Sequence, residues 1–180
     1  MPIDQIAAQR EKRAAERDIH DAFQWGFYKS GPRKGCPKPK SERTYGKYSQ
    51  DLAGFLTYAF PATFFKPHSA GQLADLELMQ TVTMNGGQYA FAAPRGDGKS
   101  SRAEGTAIWA AGYGYHQAIL LIGSEQDAAN EMLDSIKMEF RANERLCELF
   151  PWIGVPAMEA DDVAIKARAM TFAGQDMHFR

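Results

Sequence analysis

A three-layer α/β fold with a mainly parallel sheet, incomplete in this chain and preceded by a helical N-terminal segment, is the architecture the sequence predicts. Three observations predict it. An apolar run, Gln88-Tyr-Ala-Phe-Ala92, leads into the glycine-rich stretch Ala93-Pro-Arg-Gly-Asp-Gly-Lys-Ser-Ser101. A breaker-poor segment follows, with Ala103, Ala107, Ala110 and Ala111 at helical spacing beside Ile108 and Trp109. Then comes a second short run, Gln117-Ala-Ile-Leu-Leu-Ile-Gly123, branched and nearly uncharged, as expected of a strand buried on both faces of a parallel sheet. Strand, glycine-rich turn, helix, strand is the order of a phosphate-loop nucleotide-binding domain.

The turn carries the chemistry. A phosphate loop needs backbone N–H groups aimed at the phosphates, a lysine reaching the β and γ oxygens, and a hydroxyl for Mg²⁺. Gly96, Gly98, Lys99 and Ser100 supply these parts, with Ala93, Pro94, Arg95, Asp97 and Ser101 completing the loop. The first glycine of the usual G-x-x-x-x-G-K-[ST] pattern is replaced by Ala93, so the match is to a relaxed form. A helix starting near Gly98 turns its positive end toward a bound triphosphate.

The remaining elements follow from local signals. Residues 4–25 lack Gly and Pro and are rich in Ala, Arg, Glu and Gln, which predicts a helix. Gly31, Pro32, Gly35, Pro37 and Pro39 make 29–47 a loop or linker, and residues 1–48 an arm separate from a domain over 49–180. The stretch 49–60 is apolar until Pro61 stops it. A helix begins at Ser69, runs through Met84, and closes at Asn85-Gly86-Gly87 with a left-handed cap. Ser124-Glu-Gln-Asp127 has the form of a capping box, and Ala128 to Phe140 trace the buried face of the helix after it. A short helix over 144–150 ends at Pro151, and 163–167 and 169–173 read as two short strands.

Composition bounds the function classes. With 180 residues, 44% hydrophobic and 24% charged, the chain is sized for one soluble domain with an added segment, and no apolar stretch reaches the length of a membrane span. The expectation is a cytoplasmic protein, in the host cell if viral. Cys36 and Cys147 stand far apart, and the four histidines have no ligand spacing, so neither zinc nor redox chemistry is supported. The net charge of −1 hides asymmetry: residues 1–50 hold 11 Lys/Arg against 6 Asp/Glu, and the remainder 10 against 16. Lys29, Arg33, Lys34, Lys38, Lys40, Arg43 and Lys47, interleaved with Tyr28, Tyr45 and Tyr48, form a basic stretch that suits nucleic-acid phosphates or a solvated linker.

A phosphate-loop ATPase also needs an acid at the end of an apolar strand to help hold Mg²⁺ and position the attacking water. Downstream of Ser100 no apolar run precedes an acidic pair: Asp161-Asp162 follows Met158-Glu159-Ala160, and Asp176 follows Phe172-Ala-Gly-Gln175. The expectation is ATP binding with little turnover.

From about residue 64 to 151 the sequence resembles the N-terminal ATPase domain of the large terminase subunit of tailed phages. The resemblance is carried by Phe65-Lys-Pro-His-Ser-Ala-Gly-Gln72, by the Pro-Arg-Gly form of the loop, by Leu121-Ile-Gly-Ser124, and by the segment from Ala129 to Phe150 with its Asn143-Glu-Arg-Leu146. It implies an ATP-driven motor that moves double-stranded DNA into a capsid, with a small terminase subunit and a portal as partners and a homo-oligomer when full length. It also implies a chain cut before the family's second acidic motif. By the same resemblance Gln72 contacts adenine, Arg95 assists at the γ-phosphate, Lys99 is the catalytic lysine and Ser100 holds Mg²⁺. Another phosphate-loop DNA-dependent ATPase of helicase type, or a non-catalytic truncated adaptor with a basic arm, shares these features.

Overall fold

The computed structural model describes residues 26–30, 33–116, 118–159, 169–172 and 175–178. Seven helices are found there: α1 (Glu42–Tyr48), α2 (Leu52–Ala59), α3 (Ala70–Asn85), α4 (Lys99–Tyr113), α5 (Gln126–Ala142), α6 (Glu144–Leu149) and α7 (Pro151–Glu159). Beyond them β1 (Ala169–Phe172) and β2 (Gln175–His178) pair antiparallel, Ala169 opposite His178 and Phe172 opposite Gln175.

This corrects the expected fold class. The described residues are mainly helical, and no parallel sheet is among them. The runs 88–92 and 118–122 are both without strand assignment and make no ladder with each other or with another segment among the described residues. Leu120 and Ile122 are 64% and 82% exposed, where a strand sandwiched between helices would hide both. The physical reason is that apolarity fits a segment for burial but supplies no partner. A strand exists only when neighbouring backbone takes up its N–H and C=O groups.

Helix termini follow their local signals closely. Ser69 accepts from Gln72 N while the Gln72 side chain accepts from Ser69 N, a complete capping box at the start of α3, and Gly86 with φ 80° ends that helix. Asp51 caps α2 through Gly54 N, and Asn143 caps α6 through the Arg145 and Leu146 amides. Three expectations need revision. The predicted loop over 29–47 turns helical at Glu42, because the Gly/Pro signals stop at Pro39 and Ser41 accepts from Thr44 N. The Ser124 box does not form: Glu125 is the cap of α5 and makes no side-chain cap bond. Pro151 starts a helix rather than only stopping one, since at a first helical position its missing N–H costs nothing. The predicted helix over 4–25 and the strand over 163–167 lie outside the described residues.

The core is an aromatic-rich cluster between helices. Trp109 of α4 is fully buried among Leu52, Phe55, Leu146 and Phe150, and its indole N–H donates to the Tyr48 carbonyl at 2.9 Å. Tyr113 donates to the Tyr45 carbonyl at 2.8 Å, and Phe150 meets its ring edge-on at 5.0 Å. Gly112 permits this approach, since a Cβ there would fall 2.4 Å from the Phe150 ring. The segment before α1 lies against this core: Lys40 N donates to the Glu148 carbonyl, and the Arg33 guanidinium sits 4.0 Å over the Trp152 ring. The core thereby fixes α4, whose N-terminus carries the glycine-rich turn.

Candidate functional site

The turn before α4 is built on two glycines. Gly96 and Gly98 have φ of 88° and 77°, a region in which a side chain is strained. Gly98 is the N-cap of α4 and offers no side chain to fill the cap, while Arg102 N makes the first bond back to Gly98 O at 3.0 Å. The amides of Lys99, Ser100 and Ser101 therefore have no intrahelical acceptor, an open set of donors at the positive end of a 15-residue helix.

Lys99 occupies the first position of that helix. Its ammonium folds back over the turn and donates to the carbonyls of Ala93 and Pro94, the latter at 2.8 Å. Four positions of the turn, Pro94, Arg95, Gly96 and Ser100, are exposed, while Ala93, Asp97 and Ser101 are half-buried.

The residue that holds the turn together is one the sequence reading passed over. Arg102 is 1% exposed, and its guanidinium donates to the Asp97 carbonyl at 2.7 Å and to Asp97 Oδ2 at 2.6 Å. Asp75 Oδ2 stands 3.8 Å away, and the Phe91 ring 5.7 Å from the guanidinium carbon. Its Nε is buried with no hydrogen-bond partner. The available signal was spacing: three residues after Lys99, an arginine shares the lysine's helix face and can reach back across the turn to an acid five residues earlier. Arg102, aided by Gln72 and opposed by partial burial, holds the Asp97 carboxyl below the usual carboxylate range.

Gln72, predicted 26 residues upstream of the turn's Gly98, is brought to it. Its Nε2 donates to Asp97 Oδ1 at 3.0 Å, and its Oε1 accepts from Ser69 N at 3.0 Å. Between these elements lies a cavity of about 440 Å³, walled on one side by the segment 63–69 with Phe64, Phe65 and His68, and on the other by Gly96, Gly98 and Arg102. That volume falls in the range of small-molecule sites. Burial, with the charge of Arg102 adding to it, lowers the His68 pKa from its usual value and so favours the neutral imidazole. A smaller cavity of about 130 Å³ shares Thr63, Phe64 and Ser101 with the first and holds Glu104, bonded to Ser135, and Glu139.

Of the predicted residues, Gln72, Gly96, Asp97, Gly98 and Ser101 thus line one cavity. Lys99 lies beside it, tied to the turn, and Arg95 and Ser100 are on the exposed side. Among the described residues no three His, Cys, Asp or Glu side chains converge on a metal position. Ser100, expected to hold Mg²⁺, is exposed and does not line the cavity, whereas its neighbour Ser101 does. Among the described residues no helix is long and apolar enough to cross a membrane. No family model, curated protein or solved structure matches the chain.

Proposed function

We propose that the chain binds ATP with Mg²⁺ in the cavity between residues 63–72 and the Gly96–Lys99 turn, as the nucleotide-binding portion of a DNA-packaging ATPase of the terminase type. The observation that carries the binding reading is the convergence at one place of two positive-φ glycines, three amides without helical acceptors, the Lys99 ammonium and an adjoining cavity of about 440 Å³. The motor and its partners, double-stranded DNA, a small subunit and a portal, rest on the sequence resemblance, as does action in the host cytoplasm.

Lys99 exchanges its two carbonyl acceptors for phosphate oxygens, a gain because a charge-assisted bond to an anion is stronger than one to a neutral carbonyl. The amides of 99–101 take further phosphate oxygens. On the resemblance alone, Ser100 would hold Mg²⁺, which when bound neutralises part of the triphosphate charge. The Arg102–Asp97 pair keeps the turn shaped for these contacts, and exposed Arg95 is free of the buried framework to approach the γ-phosphate.

Slow turnover is expected from the carboxylates beside the turn. Asp97 is engaged by Arg102 and Gln72, and Asp75 accepts from the Tyr89 hydroxyl at 2.8 Å, which leaves neither poised to orient an attacking water. For DNA, Lys29, Lys34 and Arg43 are exposed, whereas Lys38 and Lys40 pair with Glu42 and Glu148 and Arg33 rests on Trp152. Exposed cations of this kind suit a phosphate backbone.

Calorimetric titration with MgATP tests the reading: saturable binding with a Kd of about 100 µM or tighter is expected, about −5.5 kcal/mol or better. Phosphate release by the same preparation should be slow against the 1–100 s⁻¹ of active phosphoryl-transfer enzymes. Absence of saturation at millimolar nucleotide would overturn the binding reading, and fast release would overturn the account of the carboxylates.

A further inference from the structure

Glu104 is a half-buried carboxylate with one oxygen to spare. Its Oε2 accepts from the Ser135 hydroxyl at 3.0 Å, a bond that ties α4 to α5. Among the described residues no cation pairs with Glu104, and its Oε1 meets no donor. The side chain lines the smaller cavity, of about 130 Å³, whose apolar walls include Phe60, Phe64 and Ile108. That space is many times the roughly 10–15 Å³ a single water needs. Glu139, the other acid on this cavity, comes from α5 and gives its Oε2 to the Asn143 amide at 2.8 Å.

The two cavities meet at Ser101, which lines both along with Thr63 and Phe64. Ser101 also carries one of the open amides at the start of α4, and Glu104 follows it three residues later on the same helix face. Moving along α4, phosphate donors therefore come first and an acceptor-only group second. A nucleotide has the matching order, an acceptor-only triphosphate followed by a sugar with hydroxyl donors. An ionised carboxylate accepts and cannot donate, so without a cation beside it Glu104 repels phosphate and suits the hydroxyls. A carboxylate on the ribose hydroxyl is also how dinucleotide-binding folds hold their sugar. We propose that Glu104 is a specificity-determining residue that accepts a hydrogen bond from a ribose hydroxyl of the nucleotide, with the smaller cavity as the sugar's place. This rests on the nucleotide-binding reading above and adds the sugar and the residue that selects it.

The test is titration of the full chain with the magnesium complexes of ATP and 2′,3′-dideoxy-ATP, and with tripolyphosphate as a probe of the phosphate contacts alone. The wild type should bind ATP about 10-fold or more tighter than the dideoxy analogue, the scale of a hydrogen bond to a charged group. The loss should reappear with 2′-deoxy-ATP, 3′-deoxy-ATP or both, according to which hydroxyl is held. In Glu104→Ala the ratio should fall to within about 2-fold of unity through weaker ATP binding alone, while the dideoxy analogue and tripolyphosphate bind as in the wild type or tighter, because a negative charge is gone. Glu104→Gln keeps the shape and an acceptor for Ser135, so it serves as a second variant should the first not fold; its neutral acceptor should leave a preference of about 3-fold. General damage to α4 would lower all the affinities together and leave the ratio intact. A wild type indifferent to the sugar hydroxyls, or a ratio unchanged in both variants, overturns the role of Glu104 and leaves the nucleotide site standing. A wild type that binds neither ATP nor tripolyphosphate overturns the site itself.

Discussion

Lys99→Ala should weaken MgATP binding by about 100-fold, close to 2.7 kcal/mol, with the fold intact. The magnitude follows from removing the one ammonium at the turn, because hydrogen bonds involving charged groups contribute about 1.5–3 kcal/mol each and a triphosphate offers this amine more than one oxygen. The fold should survive because the amine contacts only the Ala93 and Pro94 carbonyls, at a turn with exposed neighbours, and takes no part in the buried cluster. Titration of the variant beside the wild type, with thermal unfolding of both, separates the two effects. Equal affinities would mean that the lysine is structural and the turn is not a phosphate site.

The largest loss of stability should come from Trp109→Ala. The indole is fully buried at the junction of α2, α4 and α6, meets the Tyr115 ring at 4.7 Å with the two planes tilted by 44°, and donates to Tyr48 O. Truncating a buried tryptophan costs about 3–5 kcal/mol in lost transfer energy and cavity formation, and here it also leaves the Tyr48 carbonyl with only the long 3.5 Å bond from Asp51 N. Against a typical total stability of about 5–15 kcal/mol, such a loss should move the urea midpoint strongly with little change in slope. A loss below about 1 kcal/mol would mean that this cluster does not organise the helices around α4. Because α4 presents the turn, nucleotide affinity should fall with stability in this variant, whereas K99A separates the two.

What the sequence disclosed, and what it hid, divides along the range of the interactions involved. Ser69 and Gln72 sit three residues apart and satisfy each other, so the start of α3 was legible, as was its end at Gly86. The turn at Gly96 and Gly98 was legible for the same reason: positive φ is a local demand that glycine answers. Gln72 was placed at the site only through a resemblance, and its partner Asp97 and the Arg102 behind it became visible only once α3 and the turn were side by side. The sheet failed at the longest range. The runs 88–92 and 118–122 carry the right residues for strands, but pairing depends on a neighbour that composition does not specify, and Ile122 is exposed as a result. The core instead drew on aromatics scattered from Tyr45 to Trp152, whose meeting no single window of sequence announces.

The most direct test of the central claim is a crystal structure of the chain with Mg²⁺ and a non-hydrolysable ATP analogue. The triphosphate should lie at the N-terminus of α4 with the Lys99 ammonium about 3 Å from a phosphate oxygen and released from the carbonyls of Ala93 and Pro94. A saturated crystal in which Lys99 still bonds those two carbonyls, with the analogue elsewhere, would contradict it.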